Sequence, residues 1–167
     1  DFDFNEDSIQ ESYCSYDLAV LQQFIDNSTI NNDPLQHTLS LNNDRDSDGI
    51  ISPLELGDQE WVNGRLEWWD CSGCGLIGEI PSEIEQLYYL KSLNLSSNNL
   101  SGNIPEIMGF LNNLNSINLS NNHLSGNIPA TFSDLTNAAN NFDGTLDNNN
   151  FCEEDSPSGQ YCEPELI

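Results

Sequence analysis

The 167-residue chain carries 28 Asp or Glu against 3 Lys or Arg, a formal charge of −25, with 37% hydrophobic and 9% aromatic residues. Such a polyanion offers no basic groove to nucleic acid and is repelled by anionic membrane surfaces. The apolar content supports one modest core, and no run of about eighteen apolar residues is present to span a bilayer.

The charge is uneven along the chain. Of the 28 acids, 14 precede residue 62 and another group follows residue 134, whereas between Gln86 and Ser133 Glu106 is the only acid and Lys91 the only base. A nearly neutral middle rich in Asn, Ser and Leu therefore lies between two acidic ends. The chain opens DFDFNEDS, with neither a basic nor an apolar leader, and it holds 5 cysteines. The expectation is a secreted chain, extracellular or at the cell surface, from which a signal has been removed.

Residues 44–55 read DRDSDGIISPLE and satisfy D-x-[DN]-x-[DN]-G-x5-E at each required position, as an EF-hand-like calcium loop does. In that pattern Asp44, Asp46 and Asp48 give side-chain oxygens to a Ca²⁺ ion, Ile50 a backbone carbonyl, Ser52 a direct or water-bridged oxygen and Glu55 a bidentate carboxylate. Gly49 makes the sharp turn. Carboxylates crowded this closely repel one another, and a divalent cation makes the arrangement favourable. Ser52-Pro53-Leu54-Glu55 then supplies a cap residue, a first-turn proline and a third-position glutamate, which predicts a helix at the loop exit. With no second such loop to pair with, the ion is expected to brace the acidic segment rather than to switch it.

The middle of the chain is periodic. Residues 63–86 (NGRLEWWDCSGCGLIGEIPSEIEQ), 87–110 (LYYLKSLNLSSNNLSGNIPEIMGF) and 111–134 (LNNLNSINLSNNHLSGNIPATFSD) share one phase at an offset of 24. Leu66, Leu90 and Leu114 align, as do Leu76, Leu100 and Leu124, Gly78, Gly102 and Gly126, and Pro81, Pro105 and Pro129. Within a repeat, Leu93 and Leu95 alternate with Ser92, Asn94 and Ser96, the period-2 signature of a short strand with one buried face. One such strand cannot bury its face alone, so copies stack at ~4.8 Å into a parallel sheet over a shared core, closed by caps at both ends. Asn98 and Asn122 turn inward to satisfy the backbone of the bend, and Gly-x-Ile-Pro gives an extended return path.

The pattern LxxLxLxxNxLxGxIP resembles the plant-type extracellular leucine-rich repeats, the group that includes polygalacturonase-inhibiting proteins and receptor ectodomains. The resemblance covers about residues 63–146, and DLAVLQQFIDNS at 17–28 resembles the helix of that family's amino-terminal cap. It implies an α/β repeat solenoid, a short right-handed coil with a parallel β-sheet on its concave face. The expected parts are an acidic helical cap over 1–62 with the calcium loop at 44–55, three 24-residue repeats over 63–134, and a truncated repeat with a disulfide-closed carboxy-terminal cap over 135–167. Three repeats are few beside family members that bind partners on the concave face. The truncation rests on Asn140-Asn141-Phe142-Asp143-Gly144, which matches Asn98 to Gly102 but follows Asn122 by 18 residues rather than 24.

Five cysteines ask for two bridges and one free thiol. Cys152 and Cys162 bracket a short acidic loop and would staple the carboxy-terminal cap. By phase Cys71 replaces Leu95 and Cys74 replaces Asn98. Because that ladder position accepts Asn or Cys, Cys74 is expected as the buried thiol and Cys14–Cys71 as the second bridge, with Cys14–Cys74 as the alternative. No second CxxC accompanies Cys71 and Cys74, so a zinc site is not indicated. Four sequons occur, at Asn27, Asn94, Asn99 and Asn118, and N-glycans are expected on at least one. Asn94 and Asn118 stand one repeat apart on the strand face.

Trp69 takes the place of Leu93 and belongs to the core. Trp68 faces outward beside Glu67 and Asp70, where it can stack on a sugar, seat a partner or pack under the cap. His37 and His123 are isolated, and Glu79, Glu83 and Glu85 lie on the return path without a pocket. No nucleophile triad, phosphate loop or nucleotide fingerprint is visible, so no enzyme is expected. The candidate ligand face is Trp68, Asp70, Asn94, Ser96, Asn118 and Ser120. The expected role is binding of another extracellular protein, or self-assembly as a structural subunit. Binding of carbohydrate or ice by the Asn/Ser-rich strand face, or inhibition of a wall-degrading hydrolase, are the alternatives.

Overall fold

A computed structural model describes residues 13–30, 33–132 and 143–151. Among the described residues, the α-helix α1 (Ser15–Asn27) is followed by β1 (Thr29–Ile30) and β2 (Asp33–His37), which pair antiparallel. The remaining strands are β3 (Asp58–Val62), β4 (Arg65–Asp70), β5 (Ile77–Glu79), β6 (Ser92–Asn94), β7 (Asn99–Asn103), β8 (Ser116–Asn118), β9 (His123–Gly126), β10 (Asp143–Thr145) and β11 (Asn150–Phe151). They form two sheets of order β10-β8-β6-β4-β3 and β11-β9-β7-β5, parallel throughout except that β3 joins β4 antiparallel. No helix among the described residues is long and apolar enough to cross a membrane.

The first sheet keeps the 24-residue beat, with Trp69 opposite Leu93 and Leu93 opposite Ile117. Strands β6 and β8 point their central residues inward, and Leu93, Leu95, Ile117 and Leu119 are buried as the alternation predicts. Beyond Leu95 and Leu119 the chain bends through Ser97 and Asn121, whose φ of 58° and 56° lies in the left-handed region, a place filled in the first repeat by Gly73 at 64°. The second sheet is an addition to the sequence reading, which treated LxGxIP only as a return path. There the register is Gly78 to Leu100 and Gly102 to Leu124, an offset of 22. Two sheets and the 3₁₀ turns Ser82–Gln86 and Glu106–Phe110 enclose one core of Leu, Ile and Met side chains.

The buried asparagines join one repeat to the next. Asn98 Nδ2 donates to the carbonyls of Leu95 and Ser96 in its own bend and of Cys71 in the previous one, at 2.8–3.1 Å, while its Oδ1 accepts the amides of Gly75 and Leu76. Asn122 repeats this with Leu95, Leu119 and Ser120 as acceptors and the Leu100 amide as donor. Their neutral amides satisfy backbone groups that the tight bend would leave orphaned, which burial makes costly.

Helix α1 lays Leu18, Leu21, Phe24 and Ile25, at i, i+3, i+6 and i+7, against the first coil, the three-to-four-residue beat of an amphipathic helix. Phe24 meets Trp69 edge to face at 5.1 Å, and the Trp69 indole donates to the Leu56 carbonyl at 2.8 Å. Asp17, fully buried, accepts two bonds from Arg65, at 2.9 and 2.8 Å, and a third from the Leu66 amide at 2.9 Å. Arg65 also donates to the Gln86 carbonyl and stacks over the Tyr89 ring at 4.5 Å, so one guanidinium ties the cap, the first strand and the second repeat together.

Three expectations are corrected. Cys71 is bonded to Cys74, and Cys14 is a free, half-buried thiol, so neither Cys14–Cys71 nor Cys14–Cys74 forms. The Cys14 amide bonds the Gly64 carbonyl at one end of β4 whereas Cys71 follows the other end. At ~3.3 Å per residue a six-residue strand holds them about 20 Å apart. Since each ladder asparagine serves the preceding coil, the first coil has no predecessor to serve, and Cys74 can occupy that place.

The second correction is the last repeat, which keeps its strand. Strand β10 pairs with β8 through Asp143 to Ser116 and Gly144 to Ile117, and Asn149 takes the ladder role by donating to Leu119 and Leu146 and accepting from Leu124. The repeat is lengthened to 27 residues from Asn122 to Asn149, rather than cut to 18. The match of Asn140–Gly144 to Asn98–Gly102 was an accident of an Asn-rich stretch. Third, the helix expected after the loop is a single 3₁₀ turn, Pro53–Glu55, because Leu56 turns extended to enter β3. Cys152 and Cys162, with the cap they were to close, lie outside the described residues.

Replacing Asp17 by Ala leaves the Arg65 guanidinium without its partner beside a buried amide. The expected loss is ~3 kcal/mol of unfolding free energy, read by thermal or urea denaturation. A change within ~0.5 kcal/mol would show that the cap does not hang on this pair.

Candidate functional site

The outward residues of the first sheet form two in-register rows. Trp68, Ser92 and Ser116 make one, and Asp70, Asn94, Asn118 and Thr145 the other. Between the rows runs a shallow groove of about 220 Å³, floored by Leu93 and Ile117. Trp68 stands half-buried at one end, and Glu60 of β3 is its register partner on the next strand. Asp70 accepts from the Ser72 amide and from Asn94 Nδ2, both at 2.9 Å. Beside the groove, Lys91 closes on Glu67 at 2.6 Å.

The structure thus gathers Trp68, Asp70, Asn94 and Asn118 as expected, but it withdraws Ser96 and Ser120. Each turns its hydroxyl back onto the Oδ1 of the Asn two residues earlier, at 2.7 Å, and is buried. Their role is to hold the asparagine rotamers. The groove residues that the sequence reading missed are Ser92, Ser116 and Thr145. The 24-residue register with Trp68 would have found the first two.

Of the sequons, Asn27 donates to the Glu79 carbonyl at 3.2 Å, and Asn94 and Asn118 are half-buried within the rows. Asn99 alone of the four is exposed, on β7 of the second sheet and away from the groove. His123 is exposed on β9, and Glu79, Glu83 and Glu85 are exposed on the return path.

The acidic loop folds as a tight turn with Ser47 and Gly49 at φ 63° and 86°. Asp44, Asp46 and Asp48 each place a carboxylate oxygen within 4.8 Å of the others. The Asp44 carboxylate accepts the amides of Asp48 and Gly49, and Asp48 accepts that of Ile50 at 2.7 Å. Glu55 lies across the loop and accepts the amides of Arg45, Asp46 and Ser52 at 2.9–3.3 Å. The donor set is all oxygen, which suits a hard divalent cation such as Ca²⁺. Side chains of Ile50 and Ser52 are exposed, as residues using a backbone carbonyl and a water-bridged oxygen would be.

The pKa values of Asp46 and Glu55 are shifted in opposite directions. For Asp46 the Asp48 amide pulls the pKa down, but desolvation and the charges of Asp48, Glu55 and Asp44 outweigh it, and the net shift is upward. Glu55 is pushed up by desolvation, yet hydrogen bonds from Ser52, Asp46 and Arg45 win and hold it below its ordinary value.

The family model for the leucine-rich repeat matches residues 89–111 and 113–135. These segments are leucine-rich repeats. No curated protein matches the chain as a whole. Among solved structures, PEPR1–AtPEP1 superposes at a TM-score of 0.63 with 21% identity, covering 83% of this chain and 18% of that one. The leucine-rich repeat ectodomain of the receptor kinase SOBIR1 from Arabidopsis thaliana gives 0.58 and 22%, over 84% of this chain and 70% of that one. A plant ice-binding protein gives 0.55 and 26%, over 84% and 42%. The first two likenesses establish the solenoid fold, and this chain spans less than a fifth of PEPR1 and under half of the ice-binding protein.

In ion-free protein, the stabilising share of Glu55 is present above the ordinary glutamate pKa of about 4.3 and is lost as pH falls through its lower folded value. Asp46 opposes folding above its raised folded pKa, and that penalty is gone below its unfolded value. Denaturation in chelator should therefore show Glu55→Gln destabilised and Asp46→Asn stabilised at pH 7, both differences shrinking on acidification. Differences that stay constant down to about pH 3 would contradict these assignments.

Proposed function

We propose that the chain is a non-enzymatic extracellular leucine-rich repeat module that binds another protein on the outer face of its first parallel sheet. The observation that carries the reading is the groove itself. It pairs a half-exposed indole with hydroxyls and amides repeating at one strand spacing, which is the make-up of a recognition surface with an aromatic anchor. The same fold serves as a receptor-kinase ectodomain in SOBIR1. A Cys71–Cys74 disulfide fits an oxidising compartment. An N-glycan at Asn99 fits too, and it would leave the groove open.

Binding of a different protein is favoured over self-assembly. Strand β3 closes one end of the sheet antiparallel and there presents Glu60, exposed and unpaired among the described residues, so a second copy with the same charge meets like charge at that edge. A photo-crosslinking residue at position 116, in the groove, should capture a protein partner in native extracellular fluid, whereas one at position 85 should not. Equal capture at both positions would end the reading. Capture of the chain's own copies, with polymers in light scattering, would turn it toward a structural subunit.

Ca²⁺ in the loop is the second part of the proposal. Its role is bracing, because the loop exit sets β3. Arg45 donates to the Gly57 carbonyl and pairs with Asp58, Gln59 donates to the carbonyls of Pro53 and Leu56, and Leu56 receives the Trp69 indole. For a site of Kd ~10⁻⁴–10⁻³ M, about 10 mM Ca²⁺ should add roughly 1.4–2.7 kcal/mol of stability. Chelator should abolish the gain, and so should the double change Asp46→Asn, Asp48→Asn. Equal melting with and without Ca²⁺ would remove the ion from the account.

A second reading, adsorption to ice or to extended carbohydrate, has its own support. The plant ice-binding protein is 26% identical over 84% of this chain, and Ser92 and Ser116 repeat at one strand spacing on an open face. Thermal hysteresis or polysaccharide retention, without any protein crosslink at position 116, would favour it.

A further inference from the structure

We propose that the groove's occupant is an extended polypeptide segment bearing an arginine, whose guanidinium lies on the Trp68 indole and bonds the Asp70 carboxylate. This rests on the reading of the sheet face as a protein-binding surface and names the chemistry that surface selects.

The argument begins with charge. The 3 cations of the chain are all engaged in ion pairs, Arg45 with Asp58, Arg65 with Asp17 and Lys91 with Glu67. No cation is left to receive an anionic group, and the net −25 is carried by acids without a partner of opposite sign. A partner must therefore bring positive charge to gain from the field rather than fight it. Near the groove, Glu67 and Asp58 are neutralised by their cations, whereas Asp70 and Glu60 are not. Both flank Trp68. Glu60 is its neighbour on the adjoining strand, about 4.8 Å away, and Asp70 lies two residues along the same strand, about 7 Å away.

Indole and carboxylate at that spacing suit arginine better than lysine. A guanidinium within ~6 Å of a tryptophan ring gains a cation–π contact, and its planar fork can stack while still donating sideways. Asp70 has two acceptor positions taken, by the Ser72 amide and Asn94 Nδ2, and an ionised carboxylate has about four. The chain uses the same chemistry internally, where Arg65 lies 4.5 Å over Tyr89 while its nitrogens bond Asp17.

The remainder of the groove is ready for a peptide backbone. Asn94 Nδ2 is spent on Asp70, but Asn118 Nδ2 and the hydroxyls of Ser92 and Ser116 have no hydrogen-bond partner among the described residues. They repeat at about 4.8 Å across β6 and β8, while an extended chain rises ~3.4 Å per residue. About four residues of a segment crossing the strands would span from Trp68 to Thr145 and meet these groups in turn.

The test uses the full chain and capped hexapeptides of uncharged residues save one central position, arginine or citrulline. Citrulline keeps the planar shape and loses the charge. Binding is followed by nuclear magnetic resonance shifts of the Trp68 indole and, in every variant, of the Asn94 and Asn118 side-chain amides that line the groove, at about 150 mM salt, where long-range attraction is screened. The arginine peptide should bind roughly tenfold more tightly than the citrulline one. Asp70→Asn and Trp68→Leu should each bring it to the citrulline level, and Glu85→Gln should change nothing. Should Trp68→Leu misfold, the peptide pair on the unmodified protein and Asp70→Asn still decide. Equal binding of both peptides, shifting the Trp68 signal, overturns the arginine inference and leaves a protein-binding face. Arginine binding that ignores both substitutions is diffuse attraction and also overturns it. If neither peptide moves any groove signal, the sheet face as a peptide-binding surface falls as well.

Discussion

A carboxamide held in the interior of each bend is the interaction on which the rest of the molecule depends. Asn98, Asn122 and Asn149 each bond the backbone of their own coil and of the one before, so every coil is completed by its successor. Leucines on short strands give the core its area, but they do not say how far one coil sits from the next or at what register. The amides do, because donor and acceptor must both find backbone partners in a space closed to water. The two rows of the outer face, and with them the groove, are a by-product of that spacing.

Both ends depart from the internal rule for physical reasons. At the start, a helix covers the first coil and the buried Asp17–Arg65 pair fixes its angle, while β3 turns the sheet edge antiparallel. The ladder place is filled there by Cys74, whose partner is Cys71 in the same bend. The bridge therefore closes a tight turn within one coil and does not fasten the cap. Fastening falls to the guanidinium, to the Trp69 indole on Leu56 and to the loop that delivers the chain into β3.

Much of this was legible in the residue order. Period and phase located the coils, the inward leucines and the ladder asparagines, because burial on a stack of short strands imposes one spacing on all of them. Trp69 in the core and Trp68 outside followed from phase alone. The second sheet was not legible, since its 22-residue register runs out of phase with the 24-residue beat that the aligned leucines display. Nor was the Cys71–Cys74 bond, which requires knowing that Cys14 sits at the far end of β4. The last coil was misread because Asn-rich sequence offers several equivalent alignments, and only hydrogen bonding chooses Asn149. Ser96 and Ser120 were misplaced because alternation says which way a strand residue points but not that a bend turns the next hydroxyl back onto its neighbour.

Because each amide reaches only to the adjacent coil, nothing in the middle of the stack records how many coils there are. Another 24-residue unit spliced between β6 and β8 would find its contacts ready on both sides, and neither the helix nor the acidic loop would sense the insertion. The outer face of the first sheet would lengthen by one strand step of about 4.8 Å while Trp68 and Asp70 kept their place at its end. Reach and chemistry are thus separate variables in this architecture. Coil number sets the length of the outer face, and the first strand sets the side chains at its end.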